Sequence, residues 1–295
     1  MRQLKNIRWY VYWTLDFLKG CPVGRYYRQI KQDYELGTSA DETRAKVQAL
    51  IKHAVKTTNF YRDFSPDVDL GDLPIVNKSF YKERYDDFIS SEYRKAKTNR
   101  VMHTSGSTGT PFAMIQDRRK ALHNTAASIY LLTLGNYYIG TRQAFIRLWV
   151  DANRKSKFQA FRENIIMVDT TKLHDDNIMD MLIVVQKKKV KSIFSYATTL
   201  KLIYQYMDNH AVKPEGIKLT SIISTSEVLN ENARASLSKL FACPVRSLYS
   251  NEENGIMAIQ DTDGNRYYLD SSGYIFESLK LDSDEPADEG EMGRL

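Results

Sequence analysis

A run of small hydroxyl and glycine residues, HTSGSTGTPF at positions 103–112, is the segment with the clearest chemical potential. Glycine lets backbone N–H groups converge on an anion without hindrance from a Cβ atom, and hydroxyl groups add further donors. The segment could therefore bind phosphate groups, through Thr104, Ser105, Gly106, Ser107, Thr108 and Gly109. The GK[ST] ending of a Walker A loop is absent, which disfavours a P-loop NTPase. Composition alone leaves a flexible linker as the alternative.

The order of these residues resembles the T-S-G-[ST]-T-G-x-P signature loop of the adenylate-forming superfamily. That superfamily includes acyl-CoA ligases, luciferases and the adenylation domains of peptide synthetases. The residues from Thr104 to Gly109 and Pro111 all match the signature. Many members have a lysine directly after the proline, where this chain has Phe112. The branch that resembles phenylacetate–CoA ligase also lacks this lysine, so the departure favours that branch.

The segment STSEVL at positions 224–229 resembles the family's G-A-E-P loop, whose backbone lies along the adenine. Glu227 matches the acidic residue of that motif, whereas Ser226 and Val228 replace its alanine and proline. The resemblance implies that Ser226 and Glu227 belong to the nucleotide site. The alternative is a helix N-cap with Ser226 and Glu227 in the first turn, since both residue types are favoured there.

The segment LYSNEENG at positions 248–255 resembles the family's Y-G-x-x-E motif, with Tyr249 and Glu253 at the two key positions. The resemblance implies that Tyr249 stacks on the adenine and that Glu253 binds Mg²⁺. A flat ring suits a flat base, and a carboxylate oxygen suits Mg²⁺. Ser250 replaces the glycine of the motif, and Glu252 is a neighbouring acid. Without the other two motifs, this string would be read as an ordinary turn after a strand.

The resemblance covers about residues 45–295 and implies an ATP-dependent activation of a small carboxylic acid. Such enzymes use Mg²⁺ and form an acyl-adenylate, which then passes to CoA or another acceptor. Relatives in this branch include aryl-acetate ligases and proteins of capsular and surface polysaccharide clusters. The alternative is a non-catalytic, truncated nucleotide-binding or membrane-associated assembly protein.

The last residues of the sequence lead to a further expectation. Gly290, Glu291 and Gly293 match the family's G-E-x-G motif. In the family this motif precedes a ribose-binding aspartate, a hinge and a small C-terminal domain that carries a lysine used in catalysis. We therefore expect a truncated ligase, and no catalytic residue can be assigned in it. This chain alone should have little activity, because groups that stabilise transition-state charge are missing.

The elements that must position these motifs follow from hydrophobic patterns. Short apolar runs alternate with helical patterns after residue 100, which predicts an α/β fold with a mostly parallel sheet and flanking helices. The predicted strands are 143–150, 165–169, 190–196, 219–224 and 244–249, and the predicted helices are 175–189, 198–210 and 230–241. After residue 255 the pattern becomes strand-rich, with runs at 256–260, 266–270 and 273–281.

The first hundred residues are predicted to be helical, notably at 41–58 and around 78–88. The sequence therefore divides into a helical N-terminal region, 1–100, and an α/β nucleotide-binding core, 101–295. Together these predict an incomplete N-terminal domain of an adenylate-forming enzyme.

Composition excludes several other classes of protein. The formal net charge of +6 and the pI of about 9.0 suit polyanionic partners such as nucleotides, CoA or an anionic membrane. No nucleic-acid partner is expected, because helix-turn-helix, zinc-finger and RNP-like patterns are absent. Two distant cysteines and five scattered histidines indicate neither disulfides nor a zinc site, which favours the cytoplasm.

An aromatic segment near the N-terminus, IRWYVYWTLDFL at positions 7–18, has basic flanks. It is too short to span a membrane and lacks the pattern of a signal peptide. Two interpretations remain open. The segment either packs on the domain as a helix, or it lies in a membrane interface through Trp9, Tyr10, Tyr12 and Trp13 at the inner face of the membrane.

Overall fold

The computed structural model describes residues 6–103, 113–151, 153–172, 175–261, 263–264 and 266–295. Its α-helices are α1 (Ile7–Leu18), α2 (Pro22–Leu36), α3 (Ala40–Thr57), α4 (Lys78–Glu83), α5 (Tyr85–Phe88), α6 (Arg118–Leu134), α7 (Lys157–Glu163), α8 (Asp175–Lys187), α9 (Ala197–Asn209) and α10 (Glu231–Phe241). Its strands are β1 (Arg100–His103), β2 (Ala113–Gln116), β3 (Gln143–Arg147), β4 (Ile165–Asp169), β5 (Ser192–Tyr196), β6 (Ser221–Thr225), β7 (Val245–Asn251), β8 (Gly255–Gln260), β9 (Tyr267–Leu269), β10 (Leu279–Lys280) and β11 (Gly293–Arg294).

The described chain forms two compact units. One consists of residues 1–28 and 120–269, and the other of residues 29–119 and 270–295. The division of the sequence into residues 1–100 and 101–295 stays a prediction. None of the helices in the described residues combines the length and the apolar character needed to cross a membrane.

The first unit contains a seven-stranded sheet in the order β4-β3-β5-β6-β7-β8-β9. The strands from β3 to β7 pair in parallel, and β8 and β9 continue the sheet in antiparallel fashion. All five predicted strands between residues 143 and 249 correspond to β3–β7. The predicted α/β fold with a mostly parallel sheet is therefore confirmed. The strands could be recognised in the sequence because strands that are covered on both faces are continuously apolar.

Two hydrophobic clusters cover the two faces of this sheet. On one face Ile193, Ile222 and Val245 pack with buried residues of α8, α9 and α10. On the other face Ile223 and Ile259 pack against Leu131 of α6. Gly135 follows α6, and a Cβ atom there would lie 2.9 Å from the Cδ1 atoms of Ile223 and Ile259, so this close approach requires glycine.

The strand order places a topological switch point between β3 and β5, near one edge of the sheet. After β3 the chain moves to one side and forms β4, and it then crosses to the opposite side of β3 and forms β5. In open α/β sheets the crevice outside the carboxyl ends of the strands at such a point commonly binds ligands. The loops that follow β5, β6 and β7 also leave the sheet at this carboxyl edge.

The second unit contains α3, α4, α5 and two small antiparallel pairs, β1 with β2 and β10 with β11. Helix α3 begins with a capping box, in which Ser39 and Glu42 each accept a bond from the other's backbone N–H. The predicted strand at 273–281 is wrong except for β10. The carbonyl of Asp270 accepts bonds from the N–H groups of Gly273 and Tyr274, so the chain turns there instead of extending.

Candidate functional site

The phosphate-binding residues predicted from sequence, Thr104 to Gly109, lie outside the described residues. The structure shows the two strands that flank them. Strands β1 and β2 pair antiparallel, and His103 and Ala113 are Cα partners in that register. The assignment of phosphate binding to these six residues stays a prediction.

The loop between β6 and α10 contains Ser226 and Glu227. Ser226 has a φ angle of +70°, a left-handed conformation that is uncommon for residues with a Cβ atom. Val228 is 93% exposed although it is apolar. Helix α10 begins only at Glu231, with Asn230 as its N-cap. The alternative prediction that Ser226 and Glu227 form the first turn of a helix is therefore wrong.

The carboxylate of Glu227 instead caps a different helix. Its Oε2 atom accepts a hydrogen bond of 3.0 Å from the backbone N–H of Thr198, in the first turn of α9. The N-cap residue of α9, Tyr196, provides no side-chain cap of its own. A negative charge at a helix N-terminus is favourable because it satisfies an orphan N–H group and faces the positive end of the helix dipole. Glu227 thus ties the loop after β6 to the end of β5.

Tyr249 lies near the end of β7 and is 45% exposed. Its neighbour Leu248 is buried in the cluster with Leu131 of α6. Because side chains alternate along a strand, Tyr249 points to the opposite face, on which α9 and α10 pack. Directly after it, the hydroxyls of Ser250 and Thr225 are 3.2 Å apart and join the ends of β7 and β6.

Glu253 lies in the tight turn that joins β7 and β8. In this turn the N–H of Asn254 donates to Oδ1 of Asn251 at 2.7 Å, and Gly255 has a φ angle of +88°. Glu253 is half-buried, whereas its neighbour Glu252 is exposed. The turn therefore distinguishes the two acids, and it holds Glu253 four residues beyond Tyr249.

The structure brings Glu227, Tyr249 and Glu253 to one edge of one sheet. Strands β6 and β7 are neighbours, and their Cα partners Ser224 and Ser247 lie three residues before Glu227 and two residues before Tyr249. The described residues contain no group of three or more His, Cys, Asp or Glu side chains arranged to hold a metal. A Mg²⁺ ion that is bound mainly by substrate phosphates needs only one or two protein carboxylates, so Glu253 fits that role chemically.

Sequence reasoning missed Arg147, at the carboxyl end of β3 and beside the switch point. Its guanidinium lies over the rings of Phe145 and Trp149, with centroid distances of 5.4 and 5.6 Å. Its Nε atom is buried and has no hydrogen-bond partner in the described part of the chain. The available signal was an arginine that interrupts an otherwise apolar run, AFIRLWV.

No protein-family model and no curated protein matches the chain in sequence. Solved structures do match in fold. The 2-hydroxyisobutyryl-CoA ligase in an open conformation, in complex with 2-HIB-AMP and CoA, superposes with a TM-score of 0.66 at 12% identity over 86% of this chain. The chain has the fold of this ligase. The same ligase in its thioesterification state gives a TM-score of 0.66 at 14% identity over 88% of this chain.

The ligase fold is only partly represented in this sequence. The chain spans 59% to 60% of the length of the solved ligase in these two superpositions. At 12% to 14% identity the similarity concerns the fold, and the roles of individual residues must be argued from the site itself.

Proposed function

We propose that this chain is the nucleotide-binding core of an adenylate-forming enzyme of the phenylacetate–CoA ligase-like branch. The whole protein would activate a small carboxylic acid with Mg·ATP, release pyrophosphate, and pass the acyl group from acyl-AMP to CoA or another acceptor. The observation that carries the proposal is the ligase fold over 86% of the chain, with Glu227 and Tyr249 at the carboxyl ends of its neighbouring strands.

Each residue of the three motifs has a role in this proposal. Thr104 to Gly109 bind the phosphates, the loop at Ser226 and Glu227 lies along the adenine, and the ring of Tyr249 stacks on it. Glu253 binds the Mg²⁺ ion, which would neutralise phosphate charge. The exposed side chains of Tyr249, near the end of β7, and of Val228, in the loop after the adjacent strand β6, support this assignment, since a purine needs flat apolar surfaces on its faces.

The role of Glu227 is structural rather than catalytic. Because its carboxylate is hydrogen-bonded to the N–H of Thr198, it fixes the loop that carries Ser226 and Val228. A fixed loop loses less conformational entropy when a nucleotide binds, which increases affinity. Ser250 and Thr225 fix the neighbouring strand ends in the same way.

We further propose that the complete protein works in surface polysaccharide biosynthesis, at the inner face of the membrane, with residues 7–18 in contact with lipid. The 295 residues alone should bind nucleotide and turn over little, since they span about 60% of the ligase they resemble in fold. A second candidate is a non-catalytic nucleotide-binding protein.

Nucleotide titration with and without Mg²⁺ tests this proposal, and Glu252 offers a matched control for Glu253. We expect ATP to bind more tightly with Mg²⁺, and we expect Glu253→Gln to remove that gain. Glu252→Gln should leave it unchanged, because Glu252 is exposed beside the same turn. Failure of the wild-type chain to bind ATP, or equal effects of the two variants, would contradict the assignment.

Exchange of ATP with pyrophosphate separates the two candidate functions. A version of the protein that is longer at its C-terminus should catalyse exchange in the presence of its carboxylic acid, and the 295-residue chain should be far slower. Full-rate exchange by the 295-residue chain would contradict the proposal that this chain alone turns over little. Nucleotide binding without exchange in every version would favour the non-catalytic protein.

A further inference from the structure

Helix α1 has two chemically different faces. Its inward face contains Trp9, Tyr12, Trp13 and Asp16, which are half-buried or buried. The Asp16 carboxylate accepts bonds from the N–H groups of Val23 at 3.0 Å and of Gly24 at 2.9 Å, and so caps the start of α2. This face fixes α1 to the first unit, as the packing interpretation of the sequence predicted.

The outward face of α1 is also apolar, which the packing interpretation did not predict. Six large apolar residues, each at least half exposed, recur at helical spacing along it: Ile7, Tyr10, Val11, Leu15, Phe17 and Leu18. The residues that the sequence suggested for membrane contact were Trp9, Tyr10, Tyr12 and Trp13. Of these only Tyr10 is exposed, and the other three lie half-buried on the inward face.

A second helix extends this apolar face. Arg8 of α1 donates from Nη1 to the carbonyl of Phe161 at 2.8 Å, and its guanidinium lies 4.8 Å from the centroid of the Phe161 ring. Phe158 and Phe161 of α7 are three residues apart, and they are 71% and 69% exposed. A further bond holds the start of α1: Nδ2 of Asn6, its N-cap residue, donates to the carbonyl of Ile139 at 2.8 Å. We call the outward residues of α1 together with Phe158 and Phe161 the α1–α7 surface.

The segments that carry this surface are strongly basic. Residues 6–28 and 153–164 contain eight Arg or Lys residues and two acidic residues, a formal charge of +6 that equals the charge of the whole chain. Of the two acids, Asp16 is buried, and Glu163 forms ion pairs with Lys155 at 2.7 Å and with Arg162 at 3.5 Å. Arg154 forms an ion pair at 3.8 Å with Asp169, which lies outside these two segments. The two segments that carry the exposed apolar face therefore hold a net positive charge.

We propose that the α1–α7 surface binds an anionic lipid membrane, with its apolar side chains in the interface and its basic residues on the headgroups. An apolar face with a basic border is the composition of helices that lie in a membrane interface. The inference deepens the proposed membrane contact of residues 7–18 and rests on that part of the proposed function. It adds α7 as a second contributor and anionic lipid as the partner.

Charge decides between a membrane and a second copy of the chain. An isologous dimer would place the same patch of both copies in contact, and so bring two segments of +6 together. An anionic leaflet neutralises that charge, and each Lys or Arg near such a surface increases binding by about fivefold. The surface therefore complements a lipid headgroup layer and not itself.

Co-sedimentation with vesicles tests the proposal, with phosphatidylglycerol in phosphatidylcholine as the anionic arm and phosphatidylcholine alone as the neutral arm. The test variant is Leu15→Glu with Phe158→Glu. The matched control is Leu36→Glu with Leu50→Glu, which introduces the same charge at exposed apolar helix positions. We expect binding to anionic vesicles only, a loss of roughly tenfold or more in the test variant, and little change in the control.

A charge variant with intact apolar residues, Lys19→Gln with Lys157→Gln, should weaken binding and reduce its salt dependence. Circular dichroism and ATP titration of every variant show whether the fold and the nucleotide site are retained. Loss of vesicle binding with unchanged ATP affinity separates this inference from the nucleotide proposal. No binding by the wild-type chain, equal binding to neutral vesicles, or equal loss in the control would overturn it. The proposal would also be overturned if the wild-type chain formed a dimer in the absence of lipid and the test variant abolished that dimer.

Discussion

The two ends of the parallel sheet use buried serines in opposite ways. At the amino end Ser221 donates to Ser192 at 3.0 Å, and Gln143 also donates to Ser192, at 3.5 Å. At the carboxyl end Ser195 and Ser224 are equally buried and are Cα partners, yet their hydroxyls have no partner among the described residues. The same residue type is therefore satisfied by protein at one end and not at the other.

The loops at the two ends of the sheet also differ in how much apolar side-chain surface they expose. At the amino end side chains close the turns, as when Arg142 donates to the carbonyl of Lys188 and Thr220 to the carbonyl of Lys191. At the carboxyl end Glu227 and Ser250 also make such bonds, but Val228 and Tyr249 stay exposed. We infer that the amino end is built for stability and that the carboxyl end leaves surface available for a ligand, as expected for an α/β sheet.

The largest effect should come from removing the exposed ring at the carboxyl end. Tyr249→Ala removes the surface on which the adenine would stack, and we expect ATP affinity to fall by about 1–3 kcal/mol. Tyr249→Phe keeps the ring and should stay close to wild type. Calorimetric titration measures both, and equal losses in the two variants would show that stacking is not the role of this residue.

Paired serine substitutions sharpen the comparison of the two ends. Ser221→Ala removes the donor to Ser192 and should lower the free energy of unfolding by about 1 kcal/mol. Ser224→Ala removes a buried hydroxyl without a described partner and should change it by less than about 0.5 kcal/mol. Urea denaturation measures both values. A larger cost for Ser224→Ala would mean that this hydroxyl is satisfied in the folded protein.

Cys243, at the amino end of β7, makes the stability of the folded protein depend on pH in the alkaline range. Burial raises the pKa of its thiol from 9.0 to about 12. Above pH 9 the unfolded chain loses this proton while the folded chain keeps it, so the contribution to stability is complete below pH 9 and declines as the pH rises. At pH 10 the decline should be about 1 kcal/mol.

Cys243→Ala checks this alkaline effect. The tyrosines of the chain also titrate in this range, and they do so equally in both proteins, so the difference between the two slopes isolates the thiol. Unfolding by urea at pH 7 and pH 10 should show a smaller decline for Cys243→Ala. Parallel declines would show that the thiol ionises as readily in the folded state as in the unfolded one.

The smallest effect concerns the loop that Glu227 fixes. Glu227→Ala leaves the N–H of Thr198 without its acceptor, and we expect a loss of about 0.5–1 kcal/mol in stability, because the group is exposed. Glu227→Gln retains an acceptor oxygen and should lose less. Thermal unfolding compares the two, and identical values for Ala and Gln would show that the observed bond contributes nothing.

Much of the sheet could be predicted from the sequence because its strands are short, continuous apolar runs separated by helical patterns. The run IIMVD gave the bounds of β4 correctly, and the helices α8, α9 and α10 were predicted to within two residues at each end. Local pattern is sufficient for such elements, since burial on both faces leaves a clear signature.

What the sequence did not predict depends on contacts distant along the chain. The bond from Thr198 to Glu227 joins residues 29 positions apart. Helix α1 is apolar on both faces, so hydrophobic periodicity could not show which face packs. Its one acidic residue, Asp16, faces inward against the usual rule because its carboxylate caps α2.

Hydrogen–deuterium exchange with and without Mg·ATP tests whether the nucleotide binds at the carboxyl end of the sheet, because it reports both ends of the sheet in one experiment. We predict slower exchange in residues 226–230 and 250–254, at the carboxyl end, and no change in the turns at 188–191 and 215–220, at the amino end. No protection anywhere, or protection confined to the amino-end turns, would contradict it.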